Sequence, residues 1–430
     1  MTTIPETRPT ASGQAIFDAQ WRERVTARRP GYSLEAPFYT DEAHFRKDME
    51  AIFSRTWLFV ASVAEVPEPG DYVTIDVGRD SVIVIRDDDE EIRAYHNVCR
   101  HRGARLLMDS SGSVGNIVCG YHQWTYSPDG ELMHAGLQAP DFDRSCFSLR
   151  SVHTKVIAGL VFICLAADPP EDIHEVADRI SPYIAPHDLT RTRVAHQEDL
   201  VENANWKLVM ENNRECYHCE GAHPELTATF FPTYGYPEDQ IPKRLLPAHA
   251  RYLEAEKRLT VDADRNGLRS RLITELSGRP TGFRIQREAL DGAGESYTMD
   301  GGRASRRLLG SFDTHALGRL SLHVQPNTWF HFLSDHVVTF SLVPLSVDRT
   351  LVRTTWLVHE DAEAGVDYDL DRLTEVWHKT NAEDAELCER AQLGVSSPAY
   401  VPGPYAPTET DVDAFCVWYI ERLREYAGME

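Results

Sequence analysis

His96-Asn-Val-Cys-Arg-His-Arg-Gly103 and Cys119-Gly-Tyr-His-Gln-Trp-Thr-Tyr126 decide how this chain is read. Each stretch supplies a closely spaced cysteine–histidine pair, Cys99 with His101 and Cys119 with His122, and seventeen residues separate the two pairs. Thiolates on one iron and imidazoles on the other are the ligand set of a [2Fe–2S] cluster of raised potential. On that reading Cys99 and Cys119 bind the first iron, and His101 and His122 bind the second. A Cys2His2 zinc site is the alternative, because thiolate and imidazole also suit zinc. Zinc fingers usually group like ligands together, whereas here each short loop supplies one of each.

The sequence around these loops has a hydrophobic period of two. Tyr72-Val-Thr-Ile-Asp-Val77 and Ser81-Val-Ile-Val-Ile85 flank Gly78-Arg-Asp80 and read as a hairpin. Asn116-Ile-Val118, Trp124 to Tyr126 turning at Ser127-Pro-Asp-Gly130, and a buried apolar run from Val156 to Leu165 read as further strands of an all-β module. Upstream, Asp41 to Phe53 has an acidic start and apolar residues at helical spacing, with Asp41 as N-cap. Pro169-Pro170 reads as a boundary, after which helical and strand patterns mix as in an α+β domain. Leu320-Ser-Leu-His-Val324, His336 to Val343 and Thr350 to Val358 have the β-branched and aromatic content of antiparallel strands. An amphipathic helix then runs from Leu370 to Leu393, with Gly394 as its stop.

A second constellation lies in Asn205-Trp-Lys-Leu-Val-Met-Glu-Asn-Asn-Arg-Glu-Cys-Tyr-His-Cys-Glu-Gly-Ala-His-Pro-Glu-Leu226, where His218 and His223 are five residues apart. A regular helix would set them about 140° apart, so the helix must distort or end between them. Gly221 offers that break. Two histidines and one carboxylate with open positions suit ferrous iron that binds O2. For the carboxylate, Leu373, Val376, Trp377, Thr380, Leu387, Cys388 and Ala391 form one stripe of the C-terminal helix, and Asp384 falls within it. Glu375, Glu383, Glu386 and Glu389 point away from that stripe. A carboxylate on an apolar face is costly without a cation or a donor, so Asp384 either binds metal or caps a neighbouring element. Cys216 and Cys219 flank His218 and read as small packed thiols, not ligands.

Composition narrows the function classes. At 430 residues and 42% hydrophobic the chain can build two or three domains, and a formal charge of −23 disfavours nucleic acid and anionic membranes. Cationic and zwitterionic ligands stay open. Residues 1–13 carry no positive and apolar segments of a secretory leader and read as a flexible lead-in, and no apolar run approaches a membrane span. The expectation is a cytoplasmic protein whose eight cysteines form no disulfide framework. Asp291-Gly-Ala-Gly-Glu-Ser296 is an incomplete dinucleotide fingerprint, so electrons must come from a separate reductase.

Both ligand loops resemble those of the Rieske ring-hydroxylating and N-demethylating oxygenases, with Gly120 standing where that family commonly has proline. Glu383-Asp-Ala-Glu-Leu-Cys-Glu-Arg-Ala-Gln392 is similar to the family segment that carries the iron carboxylate, which selects Asp384. The resemblance implies a lead-in and helix over 1–45 packed on the catalytic domain, a Rieske [2Fe–2S] module over 46–166, and a helix-grip catalytic domain with a mononuclear Fe(II) over 167–430. It also implies a homotrimer, and at Glu215 a carboxylate that links a Rieske histidine of the next subunit to an iron histidine. O2 is co-substrate, and a flavin and iron–sulfur reductase supplies electrons from NAD(P)H.

Among members of the family, Glu211 to Leu226, Gln325-Pro-Asn-Thr-Trp-Phe-His-Phe332 and Thr354-Thr-Trp-Leu-Val-His-Glu-Asp361 look like the betaine demethylases. The implied substrate is a small quaternary-ammonium betaine, glycine betaine first and proline betaine (stachydrine) second, held by an aromatic cage. Phe230, Phe231, Tyr234, Trp329, Phe332 and Trp356 are candidates for that cage. Carnitine, choline or an aromatic acid are alternative substrates. A non-catalytic Rieske electron carrier is the alternative class, against which the second histidine pair speaks.

Overall fold

A computed structural model describes residues 11–429 apart from 234, 235 and 237. The first ten residues of the expected lead-in, and cage candidate Tyr234, lie outside the described residues. Among those described, the strands form two seven-stranded sheets and one of three strands.

The first large sheet has the order Leu58–Ser62, Leu160–Cys164, Ser151–Ile157, Ile92–His96, Asp80–Arg86, Asp71–Val77, Ser111–Ser113. The expected hairpin is present, with Val77 paired to Asp80 across Gly78 and Arg79. The run from Val156 to Leu165 is not one strand. Ala158 at φ +47 and Gly159 at φ +90 turn the chain back, so Ser151–Ile157 pairs with Leu160–Cys164. Left-handed backbone at both central residues is the tight-hairpin signature, and an alanine in the first position hides it from sequence. The three-stranded sheet, Ile117–Val118, Thr125–Tyr126 and Leu132–His134, turns at Gly130. There φ is +85 and a Cβ would lie 2.5 Å from the Tyr95 ring, so only glycine fits.

The second large sheet is wholly antiparallel, in the order Thr192–Glu202, Arg349–His359, His336–Ser346, Thr328–Phe332, Arg319–Val324, Phe283–Glu288, Ile273–Glu275. Its long helix is Leu370–Val395, which continues through Gly394. Gly394 takes no left-handed conformation, and the helix ends on Ser396. The buried stripe also differs slightly: Ala391 is exposed and Gln392 takes the buried place, where its Oε1 accepts from Asn205 N at 2.9 Å.

The two sheets share their cores. Phe59 of the first packs edge-on against Phe330 of the second, ring centroids 4.7 Å apart, and Asn327 bonds the Phe59 backbone in both directions at 3.0 and 2.9 Å. Asp41 caps the Glu42–Asp48 helix as expected, its carboxylate accepting from Ala43 N and His44 N. Asp48 is fully buried and meets Lys207, Trp206 Nε1 at 3.0 Å and Tyr419 OH at 2.6 Å. That knot ties the N-terminal segment to the helix that precedes the second histidine pair.

Candidate active site

The first constellation is built by two loops of one design. Cys99 N donates to Ala104 O and Gly103 N returns to Cys99 O, at 2.8 and 3.0 Å; Cys119 N donates to Trp124 O and Gln123 N returns to Cys119 O at the same distances. Each loop places its fifth residue in left-handed backbone, Gly103 at φ +75 and Gln123 at φ +58. Asn97 fixes the first loop through Leu106 N, Leu107 N and Leu107 O at 3.0, 2.9 and 2.7 Å. Cys99 and Cys119 are buried, while His101 and His122 sit at the surface with ring centroids 4.6 Å apart. His101 stacks on Trp124 at 4.8 Å. Burial, with Cys99 alongside, pushes the Cys119 thiol up. Two adjacent buried cysteines beside two imidazoles are a donor set that fits a Rieske cluster, whose binding would deprotonate both thiols. Tyr126 OH lies 3.4 Å from Cys99 Sγ and accepts from Arg100 N at 3.0 Å.

The second constellation converges as well. Trp206–Asn213 is a helix capped by Asn205, and the chain leaves it at Arg214. His218 is the N-cap of the four-residue helix Cys219–Ala222 and His223 its C-cap. The break expected at Gly221 falls instead at His223, whose φ −121 and ψ +74 are non-helical. Pro224 forces this, since the residue before a proline is pushed out of the α region and proline then starts the next helix.

His223 Nε2 stands 3.0 Å, and His218 Nε2 3.4 Å, from Asp384 Oδ1. His223 Nε2 and Asp384 Oδ1 are buried and yet make no well-directed hydrogen bond, to each other or elsewhere. Three ligand atoms that crowd one point without bonding fit a metal between them. Cys219 Sγ also comes within 4.8 Å of both imidazoles, but a disulfide joins it to Cys216, so it has no thiolate to give. That disulfide corrects the reading of the two cysteines as separate packed thiols: the turn between them brings their Cα atoms to 5.0 Å, within bonding range.

Each imidazole turns its other nitrogen to a glutamate. His218 Nδ1 is 2.5 Å from Glu215 Oε1, and His223 Nδ1 is 2.8 Å from Glu383 Oε2. Glu215 and His218, three residues apart, do not share a helical face; a turn joins them, with Glu215 Oε2 accepting from Tyr217 N. Glu383 likewise does not point away, since the His223 end of the short helix lies against that side of the long one. Burial alone would lower the His218 pKa, but the neighbouring carboxylates of Asp384 and Glu215 outweigh it and hold it at about 9. Asp384 is burdened by its own burial, yet the two imidazoles hold its carboxyl below the usual range.

A cavity of about 580 Å³ opens from these ligands toward the Arg319–Val324 strand. Phe230 and Phe231 line it, as expected of cage residues, but Arg319 already covers one face of Phe230 at 4.2 Å. Trp329, Phe332 and Trp356 do not line it: Trp329 stacks on Phe340 at 4.9 Å, and Phe332 and Trp356 are wholly buried in the two cores. The aromatics that do reach it, and that the sequence reading missed for the cage, are Tyr217, Tyr236, Tyr252 and Trp377.

Residues 189–425 match the ring hydroxylating alpha subunit (catalytic domain) family, and residues 56–151 match the Rieske [2Fe-2S] domain. The chain belongs to the Rieske ring-hydroxylating oxygenases. It is 40% identical over 95% of its length to a glycine betaine monooxygenase oxygenase subunit of Pseudomonas aeruginosa, covering 93% of that protein. It is equally identical over 93% of its length to one of Chromohalobacter salexigens, covering 88%. A carnitine monooxygenase oxygenase subunit of Escherichia coli is 34% identical over 45% of this chain and 52% of its own. Among solved structures, a quaternary ammonium Rieske monooxygenase superposes with a TM-score of 0.68 at 21% identity, covering 93% of this chain and 98% of that one. This oxygenase therefore works with a Rieske cluster, a mononuclear iron and O2. Among its described residues no helix is long and apolar enough to cross a membrane.

Proposed function

We propose that this oxygenase hydroxylates an N-methyl group of a small quaternary-ammonium betaine, glycine betaine first and proline betaine second. The observation that carries the reading is the 40% identity along 95% of the chain to relatives named for glycine betaine, against 34% along less than half for a carnitine relative. The assigned ligands are Cys99, His101, Cys119 and His122 for the cluster, and His218, His223 and Asp384 for the iron. When bound, the iron supplies O2 activation.

The chain's own residues do the rest. Glu215 and Glu383 fix both imidazoles with Nε2 toward Asp384, so that His218, His223 and Asp384 would hold the iron at the wall of the cavity. The exposed cluster histidines suit electron transfer to a neighbouring subunit of a homotrimer, with Glu215 as the bridge to its His218. Phe230, Phe231 and Trp377 give the cavity apolar walls for a trimethylammonium group, which cannot donate a hydrogen bond. One O2, two electrons and two protons convert N–CH3 to N–CH2OH and water; the carbinolamine then releases formaldehyde, a proton and the demethylated amine. The electrons come from NADH through a separate flavin and iron–sulfur reductase in the cytoplasm.

The test is turnover with a surrogate reductase and NADH, measuring formaldehyde and amine from glycine betaine, proline betaine, carnitine, choline and benzoate-like acids. Formaldehyde from glycine betaine at the highest kcat/KM is expected. Turnover of the aromatic acids alone would overturn the reading.

A further inference from the structure

The wall of the cavity opposite the Leu370–Val395 helix is polar. Arg319, Ser321 and His323 alternate along one strand, and His331 of the next strand pairs directly with Ser321. Arg319 is already committed: its guanidinium meets Glu288 Oε2 at 3.0 Å and Tyr297 OH at 3.1 Å. His331 and Trp377 differ. Both line the cavity, both are more than nine-tenths buried, and they stack on each other with centroids 4.6 Å apart and planes 13° off parallel. His331 Nε2 and Trp377 Nε1 have no hydrogen-bond partner. Ser321 Oγ lies 3.2 Å from His331 Nδ1; with the hydroxyl donating there, Nε2 keeps its proton and is a donor.

Two adjacent buried N–H groups left unsatisfied are a cost, and the side chains that carry them both line one cavity. Their chemistry selects an acceptor. Burial, then the field of Arg319, holds His331 neutral, so the pair offers two dipoles beside a guanidinium, a setting for an anionic oxygen and not for a cation. The helix supplies the ruler. Trp377, Thr380 and Asp384 lie on one stripe, and Trp377 precedes Asp384 by seven residues, or about 10 Å of rise. A betaine with one carbon between its charges measures about 5 Å from methyl carbon to carboxylate oxygen by ordinary bond lengths. Adding about 3 Å of hydrogen bond at one end and about 3 Å of approach at the other fills that rise.

We propose that His331 and Trp377 form the carboxylate subsite of this enzyme, donating from Nε2 and Nε1 to the substrate's carboxylate and thereby aiming its N-methyl group at the iron two helical turns away. The assignment rests on the betaine reading above and adds the residues that distinguish a betaine from an amino alcohol of the same size. Tyr297 buttresses the pair, its ring 5.5 Å from His331 and 5.4 Å from Trp377 while its hydroxyl holds Arg319.

The test is equilibrium binding of glycine betaine and of choline to the iron-loaded holoenzyme, with Trp377→Phe, which keeps a ring and removes the N–H, and His331→Phe. Soret-free visible absorption of the cluster and thermal melting check that each variant is folded. The expected result for Trp377→Phe is a Kd for glycine betaine raised about 10-fold, with choline changed less than about 2-fold, so that the choline-to-betaine ratio of Kd falls. KM for glycine betaine rises more than kcat falls. An unchanged Kd for glycine betaine in Trp377→Phe, or equal losses for both ligands, overturns the subsite; should His331→Phe not fold, Trp377→Phe decides alone. Wild-type enzyme that neither binds nor demethylates glycine betaine overturns the betaine reading itself, and the subsite with it. Normal wild-type turnover beside an indifferent Trp377→Phe overturns the subsite only.

Discussion

Tyr126→Phe tests how the protein sets the potential of its cluster. Tyr126 is wholly buried and its hydroxyl accepts from Arg100 N at 3.0 Å, which leaves its own proton free for Cys99 Sγ at 3.4 Å. Burial, then the thiolate side, pushes the phenol's pKa up, so it stays a donor at any working pH. A donor to a cluster sulfur favours the reduced state, whose extra electron makes the sulfur a better acceptor. A hydrogen bond to a charged group contributes about 1.5–3 kcal/mol, of which roughly half distinguishes the two oxidation states. At about 59 mV per tenfold for one electron, a loss of about 1 kcal/mol lowers the midpoint by roughly 40 mV or more. The phenylalanine ring keeps the packing, while Arg100 N is left without its acceptor, costing about 1–3 kcal/mol of stability. Spectroelectrochemical titration of the holoenzyme measures the midpoint, with electron paramagnetic resonance confirming an intact Rieske spectrum. A midpoint within about 15 mV of wild type, on an intact cluster, refutes the reasoning.

Other perturbations read different parts of the molecule. Glu383→Ala removes the acceptor 2.8 Å from His223 Nδ1 and should weaken iron binding about 10- to 100-fold, measured by titrating apoprotein with Fe(II). Glu215→Gln should keep both metal centres, by metal analysis, and lose most turnover, because an amide orients His218 but no longer carries the bridging charge. Asp48→Ala strands the fully buried Lys207 ammonium and should cost about 3–5 kcal/mol in urea denaturation. Burial raises Glu211 from about 4.5 to about 7, despite bonds from Tyr39 and Tyr405. Between those pH values the native state holds a proton that the unfolded chain has released, so this group's contribution is full below about 4.5 and is lost as pH rises through 7, by about 3 kcal/mol. Glu211→Gln should flatten the stability profile over that window, and an unaltered slope would show that another group sets it.

What the sequence revealed about the fold was whatever is written locally. The two ligand loops were legible because the chemistry of each needs a cysteine and a histidine within four residues, and the long strands because their β-branched runs leave no other reading. The hairpin at Ala158-Gly159 was not, since an alanine in left-handed backbone carries no signature. The end of the short helix at His223 was in principle legible: Pro224 forbids a helical His223, a stronger rule than the permissiveness of Gly221.

The cavity shows where local reading fails and why. Aromatic content within segments that resemble the betaine demethylases nominated Trp329, Phe332 and Trp356, but strand alternation divides such residues between two faces, and only tertiary pairing says which face is hollow. On the Thr328–Phe332 strand, Phe330 and Phe332 enter the core shared with Phe59, while His331, on the other face with Trp329, meets Trp377 at the cavity. Trp377 belonged to the apolar stripe that also offered Asp384 as a candidate, so the same periodicity had already placed an indole two turns before the proposed iron carboxylate. What periodicity could not supply was the strand lying across from that stripe. Once the antiparallel pairing brings Ser321 against His331, a histidine that reads as core becomes a neutral donor, and the helix that carries the proposed metal ligand is also the one that would measure the substrate.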